Sequence, residues 1–158
     1  MTILGRERII ERIRDKGVVI SPILSKDQIG AASVDLRIGT VVLAVRARGT
    51  SHVDPIAAKQ IALKKDREAE IDRQQKHERF ELPFGHRFLL HPGVLALVPT
   101  LEWVKLSDDI TGAVTARSTW AREGLSIATA TLIEPGYQGI VTLELANLGK
   151  SRLLCTQV

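Results

Sequence analysis

The first stretch of the chain, MTILGRERIIERIRDKG, sets Leu4, Ile9, Ile10 and Ile13 near helical spacing with charges on the other positions. That pattern predicts an amphipathic helix closed by Gly17. The period then changes. VVISPI is a short apolar run stopped by proline, and SVDLRIGTVVLAV, residues 33–45, begins in alternation and runs into β-branched residues, so both predict strands. RFLLHPGVLALVPTLEWVKL, residues 87–106, predicts two strands broken at His91-Pro92-Gly93. ITGAVTA, LSIATATLI and GIVTLELANL predict three more. Short strands with regular turn punctuation and one N-terminal helix argue for a mainly β fold, an antiparallel sandwich or barrel. Strand-helix alternation is missing, which argues against a doubly wound α/β fold. One segment has a different texture: KQIALKKDREAEIDRQQKHER, residues 59–79, mixes charges of both signs without glycine or proline. It is expected to be an exposed insertion between strands, either a solvated helix or a mobile excursion.

Composition narrows the class. A chain of 158 residues, 44% hydrophobic and 25% charged, is sized for a single domain with its own core. The 22 Lys and Arg against 18 Asp and Glu give a net charge of +4, which favours an anionic partner without separating nucleic acid from phosphorylated metabolites. One cysteine, Cys155, excludes an internal disulfide framework and every multi-cysteine zinc motif. No apolar run is long enough to span a membrane, and charge enters the first residues too early for a secretion signal, so a cytoplasmic protein is expected. His52, His77, His86 and His91 show no close metal-ligand spacing and read as structural or surface residues.

Chemistry concentrates in two stretches. ARSTWAREGL, residues 116–125, predicts one or two helical turns ended by Gly124, with Ser118 and Arg122 sharing a face at i and i+4 while Arg117 and Thr119 point elsewhere. Arginine forks and hydroxyls suit phosphate or carboxylate, although an Arg-Ser pair is also at home in any amphipathic turn. TLIEPGYQGIVTLELANLG, residues 131–149, places Glu134 before a Pro-Gly turn and Glu144 in mid-strand. Period two puts Val141, Leu143 and Leu145 on one side and Glu144 on the other. Glu144 is then either a plain solvent-facing residue or, beside Arg122 in a partly closed site, a carboxylate held ionised as a general base.

The ordered motifs ASVDLRIG, HPGVLALVPTLEWVKLSDDITG, ARSTWAREGL and LIEPGYQGIVTLE resemble the dCTP deaminase family of the dUTPase superfamily. The resemblance runs from residue 4 to about 149, the charged segment excepted. It implies a distorted antiparallel β-barrel with an N-terminal helix, a homotrimer with active sites between subunits, and a dCTP or dUTP substrate carried with magnesium. No zinc, nucleic acid polymer or membrane is implied. By motif, Ser118, Arg122 and Glu144 match the family's catalytic serine, arginine and glutamate, and Arg117 and Thr119 match triphosphate contacts. Ala130 matches a residue whose backbone carbonyl helps hold the base, and Tyr137 an aromatic next to the sugar. Glu134 and Gln138 fall among the substrate-binding positions. Asp35 matches an acidic residue near the metal-triphosphate region, and reads equally as a structural turn anchor.

Three departures from the family pattern bear on the activity. Glu134 stands where many relatives carry the aspartate that activates water at the α-phosphate; a glutamate there also occurs within the deaminase family, so the substitution favours deamination over pyrophosphate release. The stretch from Leu125 to Glu134 is about one residue shorter than in some relatives. The chain ends at SRLLCTQV, where a shortened version of a further strand, without a lid, is expected. The leading expectation is deamination of dCTP to dUTP and ammonia. A dUTP diphosphatase, alone or combined with deamination, and a nucleotide-binding trimer without turnover are the alternatives.

Overall fold

The structure, a computed structural model, describes residues 2–45, 77–127 and 131–156. Helix α1, Arg6–Arg14, buries Ile9 and half-buries Ile10 and Ile13. Glu7 in its first turn and Arg12 and Arg14 in its last complement the helix dipole. Gly17 does not supply the left-handed residue that ends the helix; Lys16 does, at φ 63°. Gly17 makes room instead, since a Cβ there would come within 2.7 Å of the Arg12 guanidinium carbon. That guanidinium donates to Ser107 Oγ at 2.8 Å and to Asp109 at 2.7 Å, fastening α1 to the turn after the central strand. The Ser107 hydroxyl, with Arg12, holds the Asp109 carboxyl below its ordinary pKa.

Strands β1 (Val18–Ser21), β2 (Val41–Val45), β3 (His77–Glu81), β5 (Leu95–Leu106), β7 (Leu125–Ile127) and β9 (Gln138–Asn147) form one antiparallel sheet. Its order is β3-β2-β5-β9-β7, with β1 beside the far half of β5. Strands β4 (Arg87–Leu90) and β10 (Leu153–Thr156) pair with each other, as do β6 (Gly112–Ala113) and β8 (Leu132–Ile133). The fold is therefore mainly β and antiparallel with an N-terminal helix. The strand ladders among the described residues trace one large sheet and two small ones, not a closed barrel.

Several sequence expectations change at this point. Residues 33–45 are not one strand: only Val41–Val45 is, preceded by isolated bridges at Val34 and Ile38. LSIATATLI divides into β7 and β8, which lie in different sheets. Residues 77–79 of the charged segment open β3 and pair with β2, while residues 59–76 lie outside the described residues. The expected break at His91-Pro92-Gly93 is present, but β4 and β5 are not partners: β4 pairs with β10 and β5 with β9. Leu153–Thr156 is a true strand, and its alternation buries Leu153 and Cys155.

β5 is the axis of the sheet. Ala96, Val98, Thr100, Glu102, Val104 and Leu106 all face inward, in strict alternation over its whole length. Its ladder with β9 is interrupted between Pro99 and Trp103, where four steps of β5 accompany two of β9. An even excess of two residues preserves the side-chain phase, so the bulge bends the strand without turning its core face outward. Proline, which lacks a ladder donor, sits at the edge of this break. Thr100 Oγ1 bridges it, donating to the Glu102 carbonyl at 2.8 Å and accepting the Val141 N–H at 3.1 Å.

The same alternation carries a carboxylate into the core beside the bulge. Glu102 is fully buried. It accepts the Arg37 Nε at 2.6 Å, the Arg37 backbone N–H at 2.8 Å and the Gln28 amide at 3.3 Å. Gln28 in turn caps the short turn of 3₁₀ helix Lys26–Gln28, its side-chain oxygen accepting the Leu24 and Ser25 N–H groups.

Two outcomes follow from this packing. Thr100→Val keeps the shape but leaves the Val141 N–H and Glu102 carbonyl unpaired in the interior, and should cost about 1–3 kcal/mol in chemical denaturation; an unchanged midpoint would contradict the bridge. Burial pushes the Cys155 thiol up to about 11. The folded state thus holds this proton more tightly than the unfolded chain, and its share of stability is lost as pH rises from about 9 toward that value. At pH 8 Cys155 should resist iodoacetamide in the native protein and react once urea unfolds it.

Candidate active site

ARSTWAREGL folds as its spacing predicts. Helix α2, Ser118–Arg122, is a short turn whose Ala121 N–H returns to the Arg117 carbonyl at 3.0 Å. Gly124 then takes φ 98°, and a Cβ there would lie 2.5 Å from the Gly149 nitrogen. Only glycine combines that left-handed backbone with so close an approach. The Leu148 N–H donates to the Gly124 carbonyl at 2.8 Å, so the end of α2 is tied to the end of β9. β7 continues that attachment, pairing Leu125 with Asn147 and Ile127 with Leu145.

Glu144 stands on β9 opposite Leu97 of β5, half-buried, while its neighbours Leu143 and Leu145 are buried on the other face. The predicted alternation is therefore correct. Ser118, Thr119, Arg122, Glu134 and Gln138 are exposed. Among the described residues neither Arg122 nor Glu144 takes part in an ion pair. The guanidinium and the carboxylate expected to face each other thus do not meet within one chain.

Arg117, by contrast, is engaged. Its Nε donates to Asp35 Oδ1 at 3.2 Å and its Nη2 to Asp35 Oδ2. This hydrogen-bonded carboxylate raises the arginine's pKa and holds it charged. Tyr137 is engaged too: its hydroxyl donates to the Ile140 carbonyl at 2.8 Å and its ring lies over Gly139. Glu134 and Gln138 flank Tyr137 at the start of β9. Six residues of extended chain separate Gln138 from Glu144, a span of roughly 20 Å. One chain therefore presents the expected site residues in two groups, Ser118, Arg122 and Glu144 toward one end of β9 and Glu134, Tyr137 and Gln138 at the other. Ala130 lies outside the described residues.

A cleft of about 220 Å³ opens beside α2, lined by Val114, Ala116, Ala121, Leu125, Ser126 and Thr131 among others. A second hollow of about 300 Å³ lies between β2, β3 and β4, lined by Val42, Phe80, Leu82, Phe88 and Leu90 with Arg87 at its edge. The larger one contains none of the expected site residues. The smaller borders the arginine-serine stretch through Ala116 and Ala121, whose neighbours carry the arginines and hydroxyls. It falls below the roughly 300–1,000 Å³ usual for a ligand pocket. Among the described residues no three His, Cys, Asp or Glu side chains gather as a metal cage. Asp35, already turned to Arg117, fits a cation that arrives on phosphate oxygens better than one held by protein alone.

Three residues of this neighbourhood escaped the sequence reading: Glu102, Gln28 and Arg37. The signal was available for Glu102, because an acid at an inward position of an otherwise apolar alternation must find partners. Nothing local could name those partners, which lie 74 and 65 residues away. No helix among the described residues is long and apolar enough to cross a membrane.

Comparison with known proteins adds the relationship. A dCTP deaminase-like family model matches residues 3–156. The "dCTP deaminase, dUMP-forming" of Methanobrevibacter smithii is 33% identical over 150 residues, covering 94% of this chain and 71% of that protein. The dCTP deaminase of Mannheimia succiniciproducens is 38% identical over 143 residues, covering 89% of this chain and 71% of its own length. The crystal structure of 2'-deoxycytidine 5'-triphosphate deaminase from Agrobacterium tumefaciens superposes with a TM-score of 0.67 at 21% identity, covering 98% of this chain and 44% of that one. That likeness speaks for the fold, and the match of the family model over nearly the whole chain for descent: the chain belongs to the dCTP deaminase-like family.

Proposed function

We propose that this chain carries out hydrolytic deamination of dCTP to dUTP and ammonia, in the cytoplasm, as a homotrimer. The observation that carries the reading is Glu144: a half-buried carboxylate on the non-core face of β9, one strand away from the turn that bears Ser118 and Arg122, in a chain of this family. The split of the site residues between the two ends of β9 supports assembly between protomers, since a second copy would bring the missing group to each half-site. Arg122 and Glu144 would then meet across that boundary. Their charges, without an ion-pair partner among the described residues, favour such a contact.

In this mechanism Glu144 takes a proton from a water as its oxygen bonds to C4 of cytosine. Glu144 passes that proton to N3, then takes the proton of the new C4 hydroxyl and delivers it to the exocyclic amine; the C4–N bond breaks, ammonia leaves, and C4 becomes a carbonyl. Arg122 keeps Glu144 ionised for the first transfer, and Ser118 supplies a hydrogen bond beside the attacked carbon. Arg117 and Thr119 hold the triphosphate, while the Ala130 carbonyl, Tyr137 and Gln138 bind the base and sugar. Asp35 would face magnesium carried in on the substrate's phosphates, where the ion would supply neutralisation of the phosphate charge. Zinc has no part in these steps; a lone cysteine cannot supply the ligand set of the zinc-dependent deaminases.

A second reading, deamination followed by release of pyrophosphate to give dUMP, is favoured by the dUMP-forming name of the Methanobrevibacter relative. Glu134, exposed at the turn before β9, would then be the base at the α-phosphate.

Incubation with magnesium and either dCTP or dUTP, with ammonia and pyrophosphate measured separately, distinguishes the readings. Ammonia from dCTP without pyrophosphate supports deamination alone; both products support the second reading; pyrophosphate from dUTP without ammonia makes the chain a diphosphatase. Neither product, despite nucleotide binding, would leave only a binding trimer. Glu144→Gln should lower ammonia release by roughly 10²–10⁴-fold with the melting temperature retained. A rate within twofold of the parent would remove Glu144 from the chemistry.

A further inference from the structure

Arg117 and Asp35 meet side-on. The Nε and Nη2 donors face the carboxylate, and Nη1 makes no hydrogen bond among the described residues. A guanidinium has five donors in a rigid fork, so a partner on one edge leaves the other edge aimed at a second anion. Taken alone, such a pair would orient little. Arg117 is 69% exposed and Asp35 34%, and two mobile side chains lose as much freedom as their attraction returns.

Asp35, however, is fixed from behind. Its N–H donates to the Gln28 carbonyl at 2.8 Å, and its own carbonyl accepts the Gln28 side-chain amide at 3.2 Å. That same amide reaches Glu102, which also takes both the backbone and the side chain of Arg37, two residues beyond Asp35. The carboxylate at Arg117 is thus presented by a loop clamped on each side to a charge that has no solvent to turn to.

We propose that Glu102 is a positioning residue for the phosphate end of the site: through Gln28 and Arg37 it fixes Asp35, and Asp35 holds Arg117 with its free edge ready for phosphate. The inference rests on the reading of Arg117 as a phosphate contact, and it adds a buried residue that touches no substrate. Orienting the arginine beforehand removes the ordering cost from binding, so the effect should fall on affinity for the phosphate chain and not on chemistry at the base.

Inorganic tripolyphosphate is the direct probe, titrated calorimetrically into the trimeric protein. Glu102→Gln should weaken its binding about tenfold and raise the KM for dCTP by a similar factor, with kcat within twofold. In an Arg117→Ala background the same change should add no further loss, because the residue it positions is gone. A merely structural role would lower kcat as well, and its loss would persist in that background. If Glu102→Gln does not fold, Gln28→Met severs the link while leaving the Glu102–Arg37 pair, and the same cycle decides. A folded variant with parental tripolyphosphate affinity, or losses that simply add, overturns the proposal. So does a parent protein that does not bind tripolyphosphate, and ammonia release from dCTP then judges the deaminase reading separately.

Discussion

A carboxylate enclosed by a β-sheet is the constraint around which this molecule is arranged. Glu102 occupies an inward position of β5 that its neighbours fill with valine, leucine and threonine. A charge in such a place is tolerated only if donors surround it, and removing one partner of a buried pair costs about 3–5 kcal/mol. Arg37 and Gln28 meet that demand, and in doing so they bring the chain between residues 28 and 37 against the bulge of β5. This explains why SVDLRIG, despite its alternation, is not a strand at its start. Its backbone groups serve the carboxylate and the bulge, as in the Arg37 carbonyl that accepts the Leu101 N–H at 2.8 Å.

The irregular loop matters because of what it carries outward. Asp35 emerges from it toward Arg117, the residue that opens α2, so the turn with the arginines and hydroxyls is registered to the core through side chains more than through strand pairing. At its other end the turn is registered by glycine: Gly124 and Gly149 approach so closely that no side chain fits between them. A five-residue helix has little stability of its own. Held at one end by a chain of hydrogen bonds and at the other by backbone contact, it keeps Ser118 and Arg122 on a defined surface.

β9, with the turn before it, carries further candidate site residues and spreads them along its length. Its core face, Val141, Leu143 and Leu145, is common to the strand's whole middle, whereas Glu144 and the Glu134–Gln138 turn are separated by most of the strand. A rigid extended strand cannot fold those groups together. The cleft of about 220 Å³ beside α2 lies on the Glu144 side of that separation, bordered by Leu125, Ser126 and Ile127 of β7, which pairs with the far end of β9.

Local pattern alone settled a good deal: the amphipathic helix with Ile9 inward, the strand breaks at proline and glycine, the phase of β9 that leaves Glu144 off the core face, and the short turn ending at Gly124. Each depends on a period of 2 or 3.6 residues or on the conformational range of glycine and proline, and these act over a few neighbours. Four ordered motifs also sufficed for the family. Tertiary structure decided the rest. It paired β4 with β10 across 60 residues of chain, turned residues 33–40 into a loop, opened β3 within a run of charges, and set Asp35 on Arg117 at a separation of 82. It also left Arg122 and Glu144 apart within the chain. The reason is that a buried charge or an unpaired strand edge states what it requires but not where along the sequence the answer lies; only the packed fold selects among distant candidates.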